Sequence, residues 1–423
     1  MRTNTSAETP PRPALGEREF IAMMAMLMAL QALAIDAMLP GLAQIAQDLG
    51  VSDPNRRQLV VGVFLVAAGI GALVPGALAD RHGRRPVLLV TLVLYVLLAA
   101  GCALAPSFDA LLGLRAIHAV ASAGVAVLPA AIVRDRFAGD RMARTLSTVS
   151  MVFMVVPMLA PTVGQFVLLF AGWRWIFGVL ALLGAVMGAW VFYRLPETMD
   201  AANRQPILPM TIARNMLGAA VERSSIGYVL GASLTFGSML GYVNSSQQLV
   251  AEHFGAGRLF PLLFAMTALS LAVSNFFNAR IVERFGARRV SQTALLICIA
   301  LSGVQVYLAF SPHQTLITFM PVLAANVCAL GFIGANFSSI ALQPFARIAG
   351  AASSMQLFLR TLVGSLVGIA IGQLYDNSAR PLAIAFLTSG ILSLCLVLYS
   401  ERGRLFRRLI PPGGERIVVV DVH

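Results

Sequence analysis

The chain has 423 residues, of which 58% are drawn from Ala, Val, Ile, Leu, Met, Phe, Trp, Tyr and Cys and only 12% are charged, with a mean hydropathy of +0.80. Soluble domains carry about 25% charged residues, so this composition excludes an ordinary soluble enzyme, a disordered chain and a secreted disulfide scaffold, and indicates a polytopic membrane protein. The net charge of +12 comes from 31 basic residues, all Arg, that stand between apolar runs and not along one exposed face; this is the pattern of membrane orientation and argues against a nucleic-acid partner.

Residues 1–19 form a polar, Pro-rich tail, and the first apolar run follows with no small-residue cleavage site, so that run is expected to start insertion itself. A spanning helix needs about 20 apolar residues. Runs of that kind cover 20–40, 58–79, 86–105, 110–133, 145–170 and 174–193, and, after a polar stretch, 226–250, 259–281, 290–310, 314–343, 350–375 and 381–400. The sequence thus predicts an all-α membrane protein of twelve transmembrane helices: a six-helix bundle over 20–194, a central loop over 195–223, a second six-helix bundle over 224–400 and a C-terminal tail over 401–423. Loops on the side of the two termini hold 24 Arg and the opposite loops hold 5 (Arg56, Arg57, Arg174, Arg258, Arg380), which puts both termini in the cytoplasm. The tail from Arg402 to Arg408 reads first as solvated, although it could touch anionic headgroups, and Ile417–Val420 has no readable role. Cys102, Cys298, Cys328 and Cys395 lie singly in apolar runs, as packing residues, with neither metal-ligand nor disulfide spacing.

The loop after helix 2 reads Asp80-Arg81-His82-Gly83-Arg84-Arg85, and the loop after helix 8 reads Glu283-Arg284-Phe285-Gly286-Ala287-Arg288. The same acid, Arg and turn Gly at the same topological place in both halves suggest two related bundles with a site between them, a transporter architecture. Gly83 permits the tight turn, and Asp80 can accept hydrogen bonds from a helix N-terminus or pair with Arg.

These residues resemble the loop signature of the major facilitator superfamily, and further segments resemble its bicyclomycin/chloramphenicol-resistance (Bcr/CflA) drug:proton antiporter branch. They are Asp36-Ala-Met-Leu39-Pro40 in helix 1, Arg115 in helix 4, Pro157-Met-Leu-Ala160-Pro161-Thr-Val-Gly164 in helix 5, Gly172-Trp173-Arg174-Trp175, Leu195-Pro-Glu-Thr198, and Ala349-Gly350-Ala-Ala-Ser353. The resemblance implies a conformational latch of Asp80, Arg81, Gly83 and Arg84 that holds the halves together in one state, with Arg134 as a partner; a plain topology anchor is the alternative. Helix 5 departs from the antiporter pattern at Val156, Ala160 and Gln165, but its two prolines still kink it and Ala160 still permits close packing.

Away from the span ends, Asp36 is the one acid, and Arg115 and Arg360 are the two arginines, inside predicted spans. Charge there is costly and by default functional. Asp36 and Arg115 are expected at similar depth, with His118 one turn beyond Arg115 and Ser122 on the same face. Burial raises a carboxyl's proton affinity and a nearby Arg lowers it. If substrate separated Asp36 from Arg115, proton and substrate would compete, which suffices for antiport; the alternative is a structural salt bridge. His118 titrates near neutrality when unperturbed, so it either relays the proton or replaces the Gln usual in the branch as a hydrogen-bonding group. Ser353, Gln356, Arg360 and Gly364 form one stripe expected to face the central cavity, where an unpaired Arg360 would favour an anionic or strongly dipolar substrate, unless carbonyls of the second half hold it. Tyr242, with Ser238 and Ser245 on helix 7, and Ser270, Ser274 and Asn278 on helix 8 are weaker candidates.

The expected substrate-binding set is therefore Asp36, Arg115, His118, Ser122, Tyr242, Gln356 and Arg360, with Asp36, Arg115 and His118 coupling the proton. Lacking any Lys, the chain has no phosphate-binding Gly-Lys-Ser/Thr loop, so it does not itself pump with ATP. No cofactor, metal or catalytic residue is expected. The partners are a small-molecule substrate, protons and the lipid bilayer, and the chain is expected to act as a monomer in a bacterial-type inner membrane. Drug-like efflux by proton antiport fits best. Uptake or facilitated transport of a metabolite is the alternative, since a fold does not fix direction.

Overall fold

A computed structural model describes residues 15–137, 139–199, 217–218, 221–345 and 349–407. The expectations for Arg2, Arg12, Arg204, Arg214, Arg347, Arg408, Arg416 and Ile417–Val420 lie outside the described residues. The spanning helices are α1 (Glu17–Asp48), α2 (Arg56–His82), α3 (Arg84–Ala103), α4 (Phe108–Arg136), α5 (Gly139–Phe170), α6 (Arg174–Arg194), α7 (Arg223–His253), α8 (Gly257–Phe285), α9 (Ala287–Phe310), α10 (Leu316–Leu342), α11 (Ala349–Gln373) and α12 (Arg380–Ser400). Eleven helices among the described residues are long and apolar enough to cross a bilayer, and α5 carries the shorter apolar stretch Val155–Phe170. Large apolar side chains such as Val90, Leu97, Phe166, Leu182 and Ile317 stay exposed on the outer face, as lipid contact requires.

Local chemistry shapes the helices. In α1, Pro40 lacks an N–H and its ring would clash with the carbonyl four residues back, that of Asp36. The first segment accordingly ends at Asp36, a short 3-10 turn (Leu39–Gly41) follows, and helix resumes over Leu42–Asp48. The sequence places the end of this helix near residue 40. It continues because Leu42 and Ile45 are buried and the Trp173 indole donates 2.9 Å to Asp48 Oδ2. At the repeated loops, Gly83 (φ 97°, ψ 154°) and Gly286 (φ 85°, ψ 145°) take conformations that only glycine adopts readily, and each turns the chain directly from one helix into the next.

The helices form two six-helix bundles. In the first, α4 packs on α1, α2 and α3, α3 on α6, and α1 on α5; in the second, α7 packs on α10, α11 and α12, and α9 on α10 and α12. The bundles meet along α2 against α11 and α5 against α8, which are equivalent pairs under exchange of the halves. Small residues allow these approaches. A Cβ on Gly69 would meet Thr361, and one on Gly62 would meet Ile369. Gly364 belongs to the packing within the second bundle and not to a cavity-facing polar stripe: a Cβ there would strike Phe236 and the Ser233 carbonyl of α7.

Gly83→Ala and Gly286→Ala should each destabilise the protein by about 1–3 kcal/mol, read as a lower thermal unfolding midpoint in detergent micelles. Gly113→Ala, in an exposed part of α4 with open space around the missing Cβ, should be neutral or stabilising.

Candidate transport site and gates

Ending the first segment of α1 at Asp36 leaves the last carbonyls of that segment without intrahelical donors. Ala34 has one of them, and Arg115 of α4 supplies the missing donor. Its Nη2 lies 3.1 Å from the Ala34 oxygen and its Nε 3.1 Å from the Val60 oxygen of α2. The guanidinium also rests 4.0 Å above the Phe64 ring, a favourable cation–π contact. Arg115 is fully buried, and its Nη1 has no partner.

The expected Asp36–Arg115 ion pair is not formed. Two carbonyl dipoles and an aromatic face hold the cation in place of the carboxylate, a geometry suited to the planar fork of Arg. Asp36 itself is 7% exposed, and among the described residues no cation or hydrogen-bond donor meets its carboxylate. Just beyond it, α5 packs on the break so closely that a Cβ on Gly164 would overlap the Ala37 carbonyl. The helix-5 glycine therefore seats α5 against the segment that carries Asp36.

His118 and Ser122 lie one and two turns further along the face of α4 that Arg115 starts, buried within the first bundle. The His118 ring sits 4.5 Å from the Tyr95 ring and 5.7 Å from that of Phe64, and neither ring nitrogen has a polar partner. Ser122 Oγ is likewise unpartnered. Tyr95 donates 3.0 Å to the Leu30 carbonyl, so α1, α3 and α4 converge on one buried polar cluster.

In the second bundle, Arg360 of α11 lies 5.0 Å over the Phe236 ring of α7, with its Nε unpartnered. One turn earlier Gln356 is buried, its Nε2 also unpartnered. The neighbour Thr361 touches Gly69 of the first bundle, which sets Arg360 at the level where the halves meet. Tyr242 is turned to helix packing: its hydroxyl bonds Thr267 of α8 at 3.2 Å and its ring stacks on Phe264. Ser270 and Ser274 bond carbonyls of their own helix, while Asn278 accepts from Asn336 of α10 at 2.7 Å.

The hydrogen bonds joining the halves gather at the end opposite the arginine-rich loops. Asn55 donates to the carbonyls of Gln373 (3.1 Å) and Tyr375 (2.7 Å), and Gln373 donates back to the Asn55 carbonyl (2.8 Å). Arg57 pairs with Glu252 at 2.5 Å, and Gln58 bonds Gln248. Gln248 and Glu252 sit on a π-helical turn, Gln248–His253, that ends α7. Sequence reasoning missed this clasp. In the sequence Arg56 and Arg57 signal topology alone, and Glu252 lies just beyond the predicted span 226–250 with nothing to mark it.

At the arginine-rich end, ion pairs tie the helices of each half to one another. Arg84 is 8% exposed and pairs with Asp80 (2.5 Å) and Asp135 (2.8 Å), while Glu197 accepts from the Arg84 and Arg85 backbone N–H groups and caps α3. Arg84, not the exposed Arg134, is thus the partner of Asp80; Arg134 stands on the exposed face of α4 and Arg81 is also exposed. In the second half Arg288 pairs with Glu401 at 2.7 Å and bonds Gln343 at 2.8 Å. Both halves thereby tie the arginine of the repeated loop to the ends of two neighbouring helices.

Glu252→Gln should loosen the clasp and shift the protein five- to thirtyfold towards opening at that end, as expected for a loss of about 1–2 kcal/mol. Spin labels at Ser52 and Asp376, on the two sides of the clasp, should show a longer and broader distance distribution than in the parent.

Comparison with known proteins agrees with this architecture. The profile of the Major Facilitator Superfamily matches residues 23–369. The chain is 29% identical to the bicyclomycin resistance protein homolog of Haemophilus influenzae over 86% of its length and 91% of that protein, and 31% identical to the multidrug resistance protein MdtL of Klebsiella pneumoniae over the same shares. Among solved structures, a D-xylose–proton symporter superimposes with a TM-score of 0.72 at 14% identity, covering 92% of this chain and all of that one; at such identity the likeness concerns the fold. With its two bundles, its duplicated loop and this profile match, the chain belongs to the major facilitator superfamily.

Proposed function

We propose that the chain exports a small, drug-like compound in exchange for protons across a bacterial-type inner membrane, acting as a monomer with both termini in the cytoplasm. The observation that carries this reading is Asp36, a buried acid that meets no cation among the described residues, placed at the break of α1 two residues from the carbonyl that Arg115 grips. Intramembrane acids of this kind mark proton and substrate pathways. The names of the relatives, a bicyclomycin resistance protein homolog and a multidrug resistance protein, support export and drug-like cargo.

The described geometry fits one state of an alternating-access cycle. The clasp at Asn55, Arg57 and Gln58 shuts the end that lies outside the cell, and Asp80 is engaged by Arg84 of its own half. Substrate then reaches the interface between the bundles from the cytoplasm. There it meets Arg360 and Gln356, whose Nε and Nε2 have no hydrogen-bond partner among the described residues, and Tyr242 is a further candidate contact. On the first half, Asp36 and the α4 residues Arg115, His118 and Ser122 form the coupling side. Asp36 and Ala34 share the last turn of the Glu17–Asp36 segment, so motion of that turn shifts the carboxyl and the grip of Arg115 together. Proton binding at Asp36 and substrate occupancy are thereby coupled, and His118, with both nitrogens free inside the cluster, is placed to pass or sense the proton. When the halves rock, the clasp opens and the latch of Asp80, Arg81, Gly83 and Arg84 takes its contact with the second half.

The test is transport in liposomes holding a trapped pH dye, with a phenicol, a lipophilic cation, an organic anion and a sugar supplied in turn under an imposed proton gradient. Proton flux opposite to substrate is expected, and Asp36→Asn should reduce it to background while the protein still inserts and folds. Flux in the same direction as substrate would mean uptake by symport, and undiminished exchange by Asp36→Asn would remove that residue from the coupling role. Arg360→Gln should shift preference in the same panel from anionic or dipolar compounds towards the cation; an unchanged order of preference would leave Arg360 a structural residue.

A further inference from the structure

Helices α8 and α9 both lean on α10 and hardly touch each other. The slot left between them at the arginine-rich end has a volume of about 540 Å³. Its walls are apolar: Ile281 and Phe285 come from α8, Ile297 from α9, and Phe332 of α10 lies in its floor. Phe285 and Ile297 are about half exposed, so the slot opens sideways to the bilayer and not into the path between the bundles. An unfilled apolar slot forfeits dispersion contacts along its whole lining, and water gains no hydrogen bonds in it. Its natural occupant at this depth is a hydrocarbon chain.

The mouth of the slot is charged. Arg289 lines it, donates its Nε to the Phe406 carbonyl at 3.0 Å, and meets no acid among the described residues. Phe406 also lines the slot. Its N–H donates 2.6 Å to Gln292 Oε1, which pins the segment after α12 across the start of α9. That segment brings Arg402, Arg404 and Arg407 to a corner that already holds Arg280, Arg284, Arg288 and Arg289. The acids there are Glu283 and Glu401, and Glu401 is engaged by Arg288 and the Tyr228 hydroxyl. The corner is strongly positive.

We propose that this slot is a binding site for one anionic glycerophospholipid of the adjacent leaflet. An acyl chain lies between α8 and α9, and the phosphate sits at Arg289 against the backbone of the pinned tail. Basic pockets between spanning helices recognise anionic headgroups in this way, and the apolar slot adds a requirement for a chain that a soluble phosphate cannot meet. The lipid would bind the α8–α9 pair and the tail after α12 to one another, at a place separate from the substrate route.

The full-length protein, purified in mild detergent with equimolar phosphatidylglycerol and phosphatidylethanolamine of matched chains, would be examined by native mass spectrometry. One phosphatidylglycerol per protein should be retained in preference. Arg289→Gln keeps a donor for the Phe406 carbonyl but removes the charge, and should reduce that preference on the order of fivefold. Thr293→Trp, at an exposed position on the slot wall, should abolish retention by filling the slot without disturbing the core. Equal retention of the two lipids by the parent, or undiminished phosphatidylglycerol retention by either variant, would overturn the proposal.

Discussion

The candidate site depends on one backbone constraint, the missing N–H and the bulky ring of Pro40. Helix cannot run unbroken through Asp36 to Pro40, and the break does three things at once. It puts an acid at a helix end inside the membrane, it frees the Ala34 carbonyl for a cation on another helix, and it exposes the Ala37 carbonyl to the side of α5. A fully hydrogen-bonded α1 would offer Arg115 nothing at that place, and a buried Arg without acceptors would be prohibitively costly. Glycine at 164 answers the same break from the other side, since only a residue without a Cβ lets α5 come so near.

Duplication explains the arginine-rich end. Gly83 and Gly286 make the same turn, and in each half one arginine of the loop reaches the ends of two other helices. The correspondence is functional and not residue for residue. Arg84 directly follows its glycine, whereas Arg288 is separated from Gly286 by Ala287. Acids take both partner places in the first half, Asp135 and Glu197, while in the second Gln343 stands beside Glu401. The first loop therefore carries a network of charges about Asp80 and Arg84, and in the second Arg288 braces Glu401 and Gln343.

Most of the fold was legible because a bilayer enforces it: runs of about 20 apolar residues are hard to mistake, and the twelve predicted spans correspond to α1–α12, although α1 runs on past its predicted end to Asp48 and α5 starts earlier, at Gly139. The turn glycines were legible because their backbone angles admit little else. Partner choice was not. Depth and charge alone matched Asp36 with Arg115, because a sequence does not display carbonyls as competitors for a guanidinium. The helical stripe of Arg360 was extended to Gly364, but the angle at which α11 crosses α7 turns that position into a packing contact. Arg57 and Glu252, 195 residues apart, leave no periodic trace, since a clasp between bundles is built from the ends of helices that never adjoin along the chain.

The clasp is also incompletely satisfied. Arg57 Nε, Gln58 Oε1, Gln247 Oε1 and both amide atoms of Asn244 are buried without partners around it. Each such atom costs about 1–3 kcal/mol, which offsets much of what the Arg57–Glu252 pair and the Asn55 and Gln373 bonds contribute. A seal built only to hold would have matched every donor with an acceptor. Unpaired polar atoms of this kind make the seal weaker than its paired bonds alone would make it. A transporter whose two states must lie within a few kcal/mol of each other needs a seal of that kind. The polar side chains at the ends of α2, α7 and α11 make this seal, and the small-residue contacts of α2 with α11 continue the interface between the halves.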